Sequence, residues 1–542
     1  MDGQQKEDFM SFPDPNNDYS FDDFLQWRES LDFYAHDEFF QNVVRRYAPD
    51  QWEDLDRAAR EISTKVSYRW RKLADAAAVP EKRPYMMHYD GHNHRIDRIV
   101  RPMETLVLEK EIFAERLFSD RCSPMEKLVK MYLIYQLGES CVCCPMTCTE
   151  GLVALLEYYA DTPELKRILD HCKEGFGDDI AIGSQFLSEI QGGSDVPANL
   201  VEAVETDGVW RIYGDKFFCS ATHADYAVVT AKPRGSEKVG LFIVPAWLEG
   251  NREKEIRNGY TINRIKWKMG TSELTTGEIT YNGAVAYPVG PPEKGLANVV
   301  GIVLTYSRLT VGIASAASMA RACREAEGYS RKRSAFGLPI GAFPLVRSQL
   351  DEMKHASRRT IAGAFKLYRD FLSLDDGLRK GMGADEPKDM KQRRFIIREL
   401  VMLQKITAAW DCTDVVRSAM SIFGGHGVME DFSSLPRIYR DSAINELWEG
   451  PRNVLLTQIH RDFQRVRDWF PPGKAVAAIL DGAAPEIISG LAEEAEALVA
   501  HPDLFAPDEK TLDVCRRWDR FCADLTHAYQ DLALSEVPGG QV

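Results

Sequence analysis

Asp207-Gly208-Val209-Trp210-Arg211-Ile212-Tyr213 is the stretch that decides the fold. An Asp-Gly pair followed by a β-branched and aromatic run reads as a tight turn entering a strand. Similar short runs recur from about residue 180 to 292, at 226–230, 239–244, 261–267 and 277–281, with Asn282-Gly283 as a further turn signal. On both sides the pattern changes. Segments 21–34, 51–73, 105–118 and 123–136 carry apolar residues at three- and four-residue spacing, and 152–159 and 164–172 continue it. That spacing predicts amphipathic helix. Pro80, Pro84 and the polar run 90–94 predict a loop between helices. Helical spacing returns at about 293 and runs through 297–330, 345–374, 389–424 and 452–470, until Pro471-Pro472-Gly473 breaks it. The order predicts an α+β fold in four parts. They are an N-terminal helical domain (1–178), a middle β-barrel or sandwich (179–292), a helical bundle (293–470) and a helical extension (471–542).

The bulk numbers are those expected of a soluble globular chain. Its 542 residues exceed one simple core, and 44% hydrophobic with 27% charged residues is ordinary for globular domains. A net charge of −15 argues against a general nucleic-acid coat, which needs a basic face. No apolar run is read as long enough for a membrane span. The polar segment 1–8 reads neither as a secretory signal nor as an Arg-rich transit peptide, so the expectation is cytoplasmic. The 11 cysteines are expected as reduced thiols. Cys141 and Cys144 formally make a C-x-x-C, but no second pair follows at zinc spacing, so Cys141, Cys143, Cys144 and Cys148 read as packing residues and no metal is expected.

Five segments carry candidate chemistry. Phe186-Leu187-Ser188-Glu189-Ile190-Gln191-Gly192-Gly193-Ser194-Asp195 reads as a strand running into a Gly-Gly turn, which exposes backbone N–H groups to a flat ligand. In 216–225, Phe218-Cys219-Ser220 places an aromatic beside a hydroxyl in a strand. Arg331-Lys332-Arg333-Ser334-Ala335-Phe336-Gly337 puts basic residues at a helix end, and a guanidinium fork suits a diphosphate. Phe423-Gly424-Gly425-His426-Gly427 breaks a helix and exposes amides; His426 is given no catalytic role. Finally, Trp448-Glu449-Gly450 sets a carboxylate between an aromatic ring and a glycine in a fairly apolar segment. Desolvation there raises a carboxyl pKa and makes a usable base near neutral pH.

In order and spacing, from about 130 to 460, these segments resemble the acyl-CoA dehydrogenase family of flavoproteins, in its larger AidB-like branch. The resemblance implies FAD as cofactor and α,β-desaturation of an acyl-CoA thioester. It implies that Glu449 removes the α proton. Leu187, Ser188, Gly193 and Ser194 would lie along the flavin, with Ser194 also near the pantetheine, and Phe218, Cys219 and Ser220 would cover it. Arg333 would reach the FAD pyrophosphate of a neighbouring subunit, Phe336 beside it would also belong to the cofactor site, and Gly424 and Gly425 would lie on the diphosphate and adenosine side. Pro451 and Asn453 hold positions of flavin contacts, while Arg308, Trp448 and Gly450 belong to the substrate pocket. Pro451 departs from the usual Thr or Ser and loses an N–H and a hydroxyl. Arg452 reads either as a contact to a CoA phosphate or as a surface residue. The implied partners are acyl-CoA, further copies of the chain as a dimer or tetramer, and electron-transferring flavoprotein. An AidB-like nucleic-acid-binding role is the alternative. It is disfavoured because acids outnumber Lys and Arg by about two to one after residue 462.

Overall fold

A computed structural model of the chain describes residues 20–374 and 386–540. Segment 1–8 lies outside them. The N-terminal part is helical, with Asp22–Ser30, Glu38–Tyr47, Trp52–Thr64, Arg71–Ala77, Met103–Phe113, Pro124–Tyr135, Cys143–Tyr159 and Pro163–Lys173. Local chemistry sets several of these ends. Ser123 accepts from the Glu126 N–H, and Thr162 from the Leu165 N–H, each just before a proline at the first helical position. The expected loop at 90–94 is instead the tip of a hairpin, β1 (Tyr85–Tyr89) against β2 (Arg95–Val100). Met86 and Ile99 pack it onto the β domain, so tertiary contact overrides the Pro and polar signals.

The middle part is a closed barrel. Its strands are β3 (Gly183–Phe186), β4 (Glu202–Thr206), β5 (Val209–Ser220), β6 (Tyr226–Pro233), β7 (Gly240–Pro245), β8 (Tyr260–Ile265) and β9 (Thr276–Pro288). β6 pairs antiparallel with β7 on one edge; on the other it pairs in parallel with β3 and then β4. β4 pairs β5, β5 pairs β9, and β9 pairs β7, which closes the ring; β8 adds to β9. Asn282-Gly283 is a bulge inside β9 rather than a turn between strands. Register shifts opposite Ile212 and Tyr213, and Gly283 takes φ +86°. Ile212 and Lys216 share the inward face of β5, and the register shift between Lys216 and Cys219 turns Cys219 to the same barrel core while Phe218 stays half exposed.

A helical bundle follows, with Leu304–Lys332, Pro344–Leu372, Lys388–Phe423, Leu435–Asn445 and Arg452–Val466, then Pro472–Ile479, Pro485–Val499 and Glu509–Ser535. By length and composition, stretch Pro292–Lys332 is apolar enough to cross a membrane, contrary to the sequence reading. Its apolar window is 72% buried inside the fold, as a bundle's central helix must be. The extension packs on the bundle through Trp518, whose Nε1 donates to the Leu456 carbonyl at 2.9 Å. Bundle and N-terminal helices share one core.

Candidate active site

Glu449 follows the Leu435–Asn445 helix in a turn that only a strained backbone can make. Its φ is +60°, in the left-handed region, and Gly450 follows at +97°. Buried cations hold this turn by its carbonyls. Lys405 Nζ donates to the Glu446 carbonyl at 3.0 Å and to the Gly450 carbonyl at 2.8 Å. Arg308 Nε donates to the Glu449 carbonyl at 3.0 Å. The carboxylate itself accepts from Gln185 Nε2 at 2.9 Å, at the end of β3. Burial pushes the Glu449 carboxyl up to about 7, against the lowering effect of Arg308, Lys405 and Gln185. Lys405 moves the opposite way, down to about 7, also by burial. A carboxylate and its neighbouring cation thus both titrate near neutrality, the pattern of an acid–base site.

Glu449 and Trp448 line a largely apolar pocket. Thr310, Val311, Ala314 and Ser318 of the Leu304–Lys332 helix form one wall, and Tyr135, Cys143, Cys144 and Cys148 another. The thiols expected as packing residues therefore line a cavity, with Cys144 Sγ 3.9 Å from Cys148 Sγ. Among the described residues no group of three His, Cys, Asp or Glu could hold a metal ion.

The first and second segments meet on the outside of the barrel. The Phe217 N–H donates to the Ser188 carbonyl at 2.9 Å. Lys216 Nζ, buried, donates to the Leu187 carbonyl at 3.1 Å and pairs with Glu189 at 2.8 Å. Glu189 also accepts from the Leu200 and Val201 N–H groups. The 187–193 loop is therefore pinned from below. A Cβ at Gly193 would run into Ser188 Oγ. Strand β3 ends at Phe186, so residues 187–195 are loop. Phe218 is 52% exposed, with Lys266 Nζ 4.4 Å from its ring centre. Cys219 points into the barrel core and offers only its backbone outward, and Ser220 Oγ lies 3.3 Å from Thr276 Oγ1.

The third and fourth segments meet at a second, more open pocket, lined by Arg333, Gly424, Gly425 and His426. A Cβ added at Gly424 or Gly425 would meet nothing within 4 Å, so both present bare backbone to open space. The His426 ring sits 4.4 Å from Phe432, and its Nδ1 is 3.0 Å from the Tyr329 hydroxyl. Phe336 does not line this cavity; it and Gly337 form the positive-φ tip of a hairpin, with Phe336 96% exposed.

Four expected site residues stand elsewhere. Arg308 is not among the residues lining the Glu449 cavity; its Nε donates to the Glu449 carbonyl. Gly450 lies outside the lining too, its carbonyl held by Lys405. Ser194 and Asn453 are exposed and line neither cavity. Pro451 caps the Arg452–Val466 helix. Arg452 turns to the extension, donating to Asp519 at 2.6 Å and lying 5.2 Å from the Trp410 ring centre. Gln185, Lys405 and the Lys216–Glu189 pair escaped sequence reading. A lysine or glutamate set inside an apolar run was the available signal.

Models of the acyl-CoA dehydrogenase middle domain and C-terminal domain match residues 184–284 and 293–463, together half of the chain. The chain belongs to the acyl-CoA dehydrogenase family. Its relatives include acyl-CoA dehydrogenase family member 11 of Caenorhabditis elegans, 27% identical over 457 residues, covering 79% of this chain and 70% of the relative. The putative acyl-CoA dehydrogenase AidB of Escherichia coli is 24% identical over 434 residues, covering 77% and 75%. Among solved structures, C. elegans ACDH-11 in complex with C11-CoA superposes with TM-score 0.78 at 24% identity, over 94% of this chain and 88% of that one. A Bacillus anthracis acyl-CoA dehydrogenase complexed with FAD gives 0.64 at 19%, over 80% and 76%. At these identities the structures share the fold.

Proposed function

We propose that the chain is an FAD-dependent acyl-CoA dehydrogenase that desaturates the α,β bond of an acyl-CoA thioester, with Glu449 as the α-proton base. The observation that carries this reading is the partly buried Glu449 carboxyl in the lining of the cavity, pushed up to about 7 and fixed by Gln185. An α C–H beside a thioester is weakly acidic, and a base matched to neutral pH suits its removal.

The residues fit a flavin. The half-exposed Phe218 ring and the pinned 187–193 loop offer one flat face beside Gln185. Arg333 with the bare Gly424 and Gly425 backbone offers a cradle for a diphosphate. FAD held there would supply the acceptor for the β hydrogen and its bonding pair, and the product would be a 2-enoyl-CoA. This chain's own residues do the rest. Glu449 takes the α proton onto its carboxylate. Arg308 and Lys405 hold the strained turn by its carbonyls and so fix where the Glu449 carboxylate stands. Val311, Ala314 and Trp448 keep water from the acyl chain. The family resemblance extends the proposal to a homo-oligomer in which Arg333 serves a neighbouring copy's FAD, with electron-transferring flavoprotein as acceptor, in the cytoplasm.

The test is anaerobic mixing of the FAD-loaded protein with a panel of acyl-CoA thioesters. Bleaching of the flavin with at least one is expected. A flavin that stays oxidised with every thioester overturns the proposal.

A further inference from the structure

The lining of the Glu449 cavity is not all hydrocarbon. Asp441 lies one helical turn before Asn445 on the same helix, about 6 Å along its axis, and both line the cavity. Gly138, Glu139 and Thr271 join Asp441 there. Asp441 is an organiser: Oδ1 accepts from the Thr271 N–H at 2.7 Å, and Oδ2 from the Glu139 N–H at 3.1 Å. Gly138 closes the floor, since a side chain there would meet the Arg437 guanidinium and Asp441.

Thr271 is the telling residue. It is only 1% exposed, yet its Oγ1 has no hydrogen-bond partner among the described residues, although Thr271 lines the cavity. Its backbone is strained as well, with φ +49° for a β-branched residue, and the Asp441 bond holds it there. Glu139 is 5% exposed and accepts the Cys144 N–H at 3.2 Å through Oε1. A plain alkyl chain packed against Thr271 would leave its hydroxyl without a partner, and sites of that kind reject ligands lacking the matching group.

We propose that Thr271, Glu139 and Asp441 form a specificity subsite for a hydroxyl group carried on the acyl chain away from the thioester. The inference rests on reading this cavity as the acyl site. A neutral group fits better than a charged one. Burial, with the Asp441 charge second, pushes the Glu139 carboxyl up to about 8, so at neutral pH it is a hydrogen-bond donor as well as an acceptor. Glu273, behind it, is pushed up to about 7 for the same reasons. Arg437 and Lys268 already supply positive charge to these acids. An ammonium would meet those cations, and a carboxylate would meet Asp441.

The test compares acyl-CoAs of one chain length, unsubstituted and hydroxylated at successive carbons beyond Cβ, by the kcat/KM for flavin reduction in the full FAD-loaded chain. One hydroxyl position is expected to exceed the unsubstituted chain about tenfold, and Thr271→Val to lower that ratio about fivefold, the factor for one neutral hydrogen bond. Glu139→Gln, which keeps an acceptor for the Cys144 N–H, is expected to lower the ratio too. The proposal is overturned if the unsubstituted chain is preferred over every hydroxylated one, or if Thr271→Val leaves the ratio unchanged. If no thioester reduces the flavin, the dehydrogenase reading fails instead. The subsite is then judged by calorimetric binding of the same pairs, where equal Kd values overturn it.

Discussion

Lys405 Nζ donates to the Gly450 carbonyl at 2.8 Å from a side chain with no solvent exposure. With its second bond to the Glu446 carbonyl, it bridges both ends of the turn that presents Glu449. Lys405→Met removes both donors and leaves two carbonyls short of partners, at about 1–3 kcal/mol. Steady-state kinetics should show kcat falling more than KM rises, and the pH profile should move upward because Lys405 holds the Glu449 pKa down. An unmoved profile would count against a positioning role.

The pH dependence has a definite sign. Glu449 accepts a proton only when ionised, and its carboxyl is pushed up to about 7. The kcat/KM should rise with pH through about 7. Arg308→Gln removes the cation that lowers this pKa most and should move the rise upward by on the order of one unit. For stability, the folded value lies above the ordinary 4.5, so the contribution is present below 4.5 and lost as pH rises through 7. Glu449→Gln should therefore unfold at a higher temperature than the parent at pH 8, by roughly 1–3 kcal/mol in stability. Equal unfolding temperatures there would contradict the burial argument.

Glu189 and Lys216 pin the 187–193 loop from inside the barrel, with Lys216 unable to reach solvent. Glu189→Ala leaves that ammonium buried and unpaired, which costs about 3–5 kcal/mol. Thermal unfolding should register that loss, and flavin titration should show weakened FAD binding. A variant as stable as the parent, with the same flavin affinity, would show that the pair holds nothing.

Arg452 faces Asp519 of the extension across a partly exposed ion pair. Such pairs contribute under about 1 kcal/mol. Arg452→Ala should leave KM for acyl-CoA within about threefold and produce a loss of stability matched by Asp519→Asn. A KM rise of tenfold or more would return Arg452 to the CoA phosphates.

The sequence showed most of the fold because period-two and helical spacings are local properties. Runs such as 209–213 and 345–374 announce themselves. What it hid is non-local. Asn282-Gly283 looks like a hairpin turn but is a bulge, since β5 and β9 pair across it. The 85–100 hairpin exists because the barrel covers Met86 and Ile99. At the site, Glu449 was legible from its apolar setting and from family resemblance. Gln185 and Lys405 were not, because each stands far along the chain from Glu449 and meets it only through the packing of β3 and the Lys388–Phe423 helix. Arg308 was legible as a site residue, but not as one that holds a carbonyl.

The central claim is that Glu449 is the base. It is tested most directly by stopped-flow flavin reduction in Glu449→Gln against the parent, with one thioester that bleaches the parent flavin. A slowing of at least about a thousandfold, with thioester binding retained, is the predicted result, since a positioned base supplies roughly 10²–10⁴ in rate. Reduction within tenfold of the parent would contradict it.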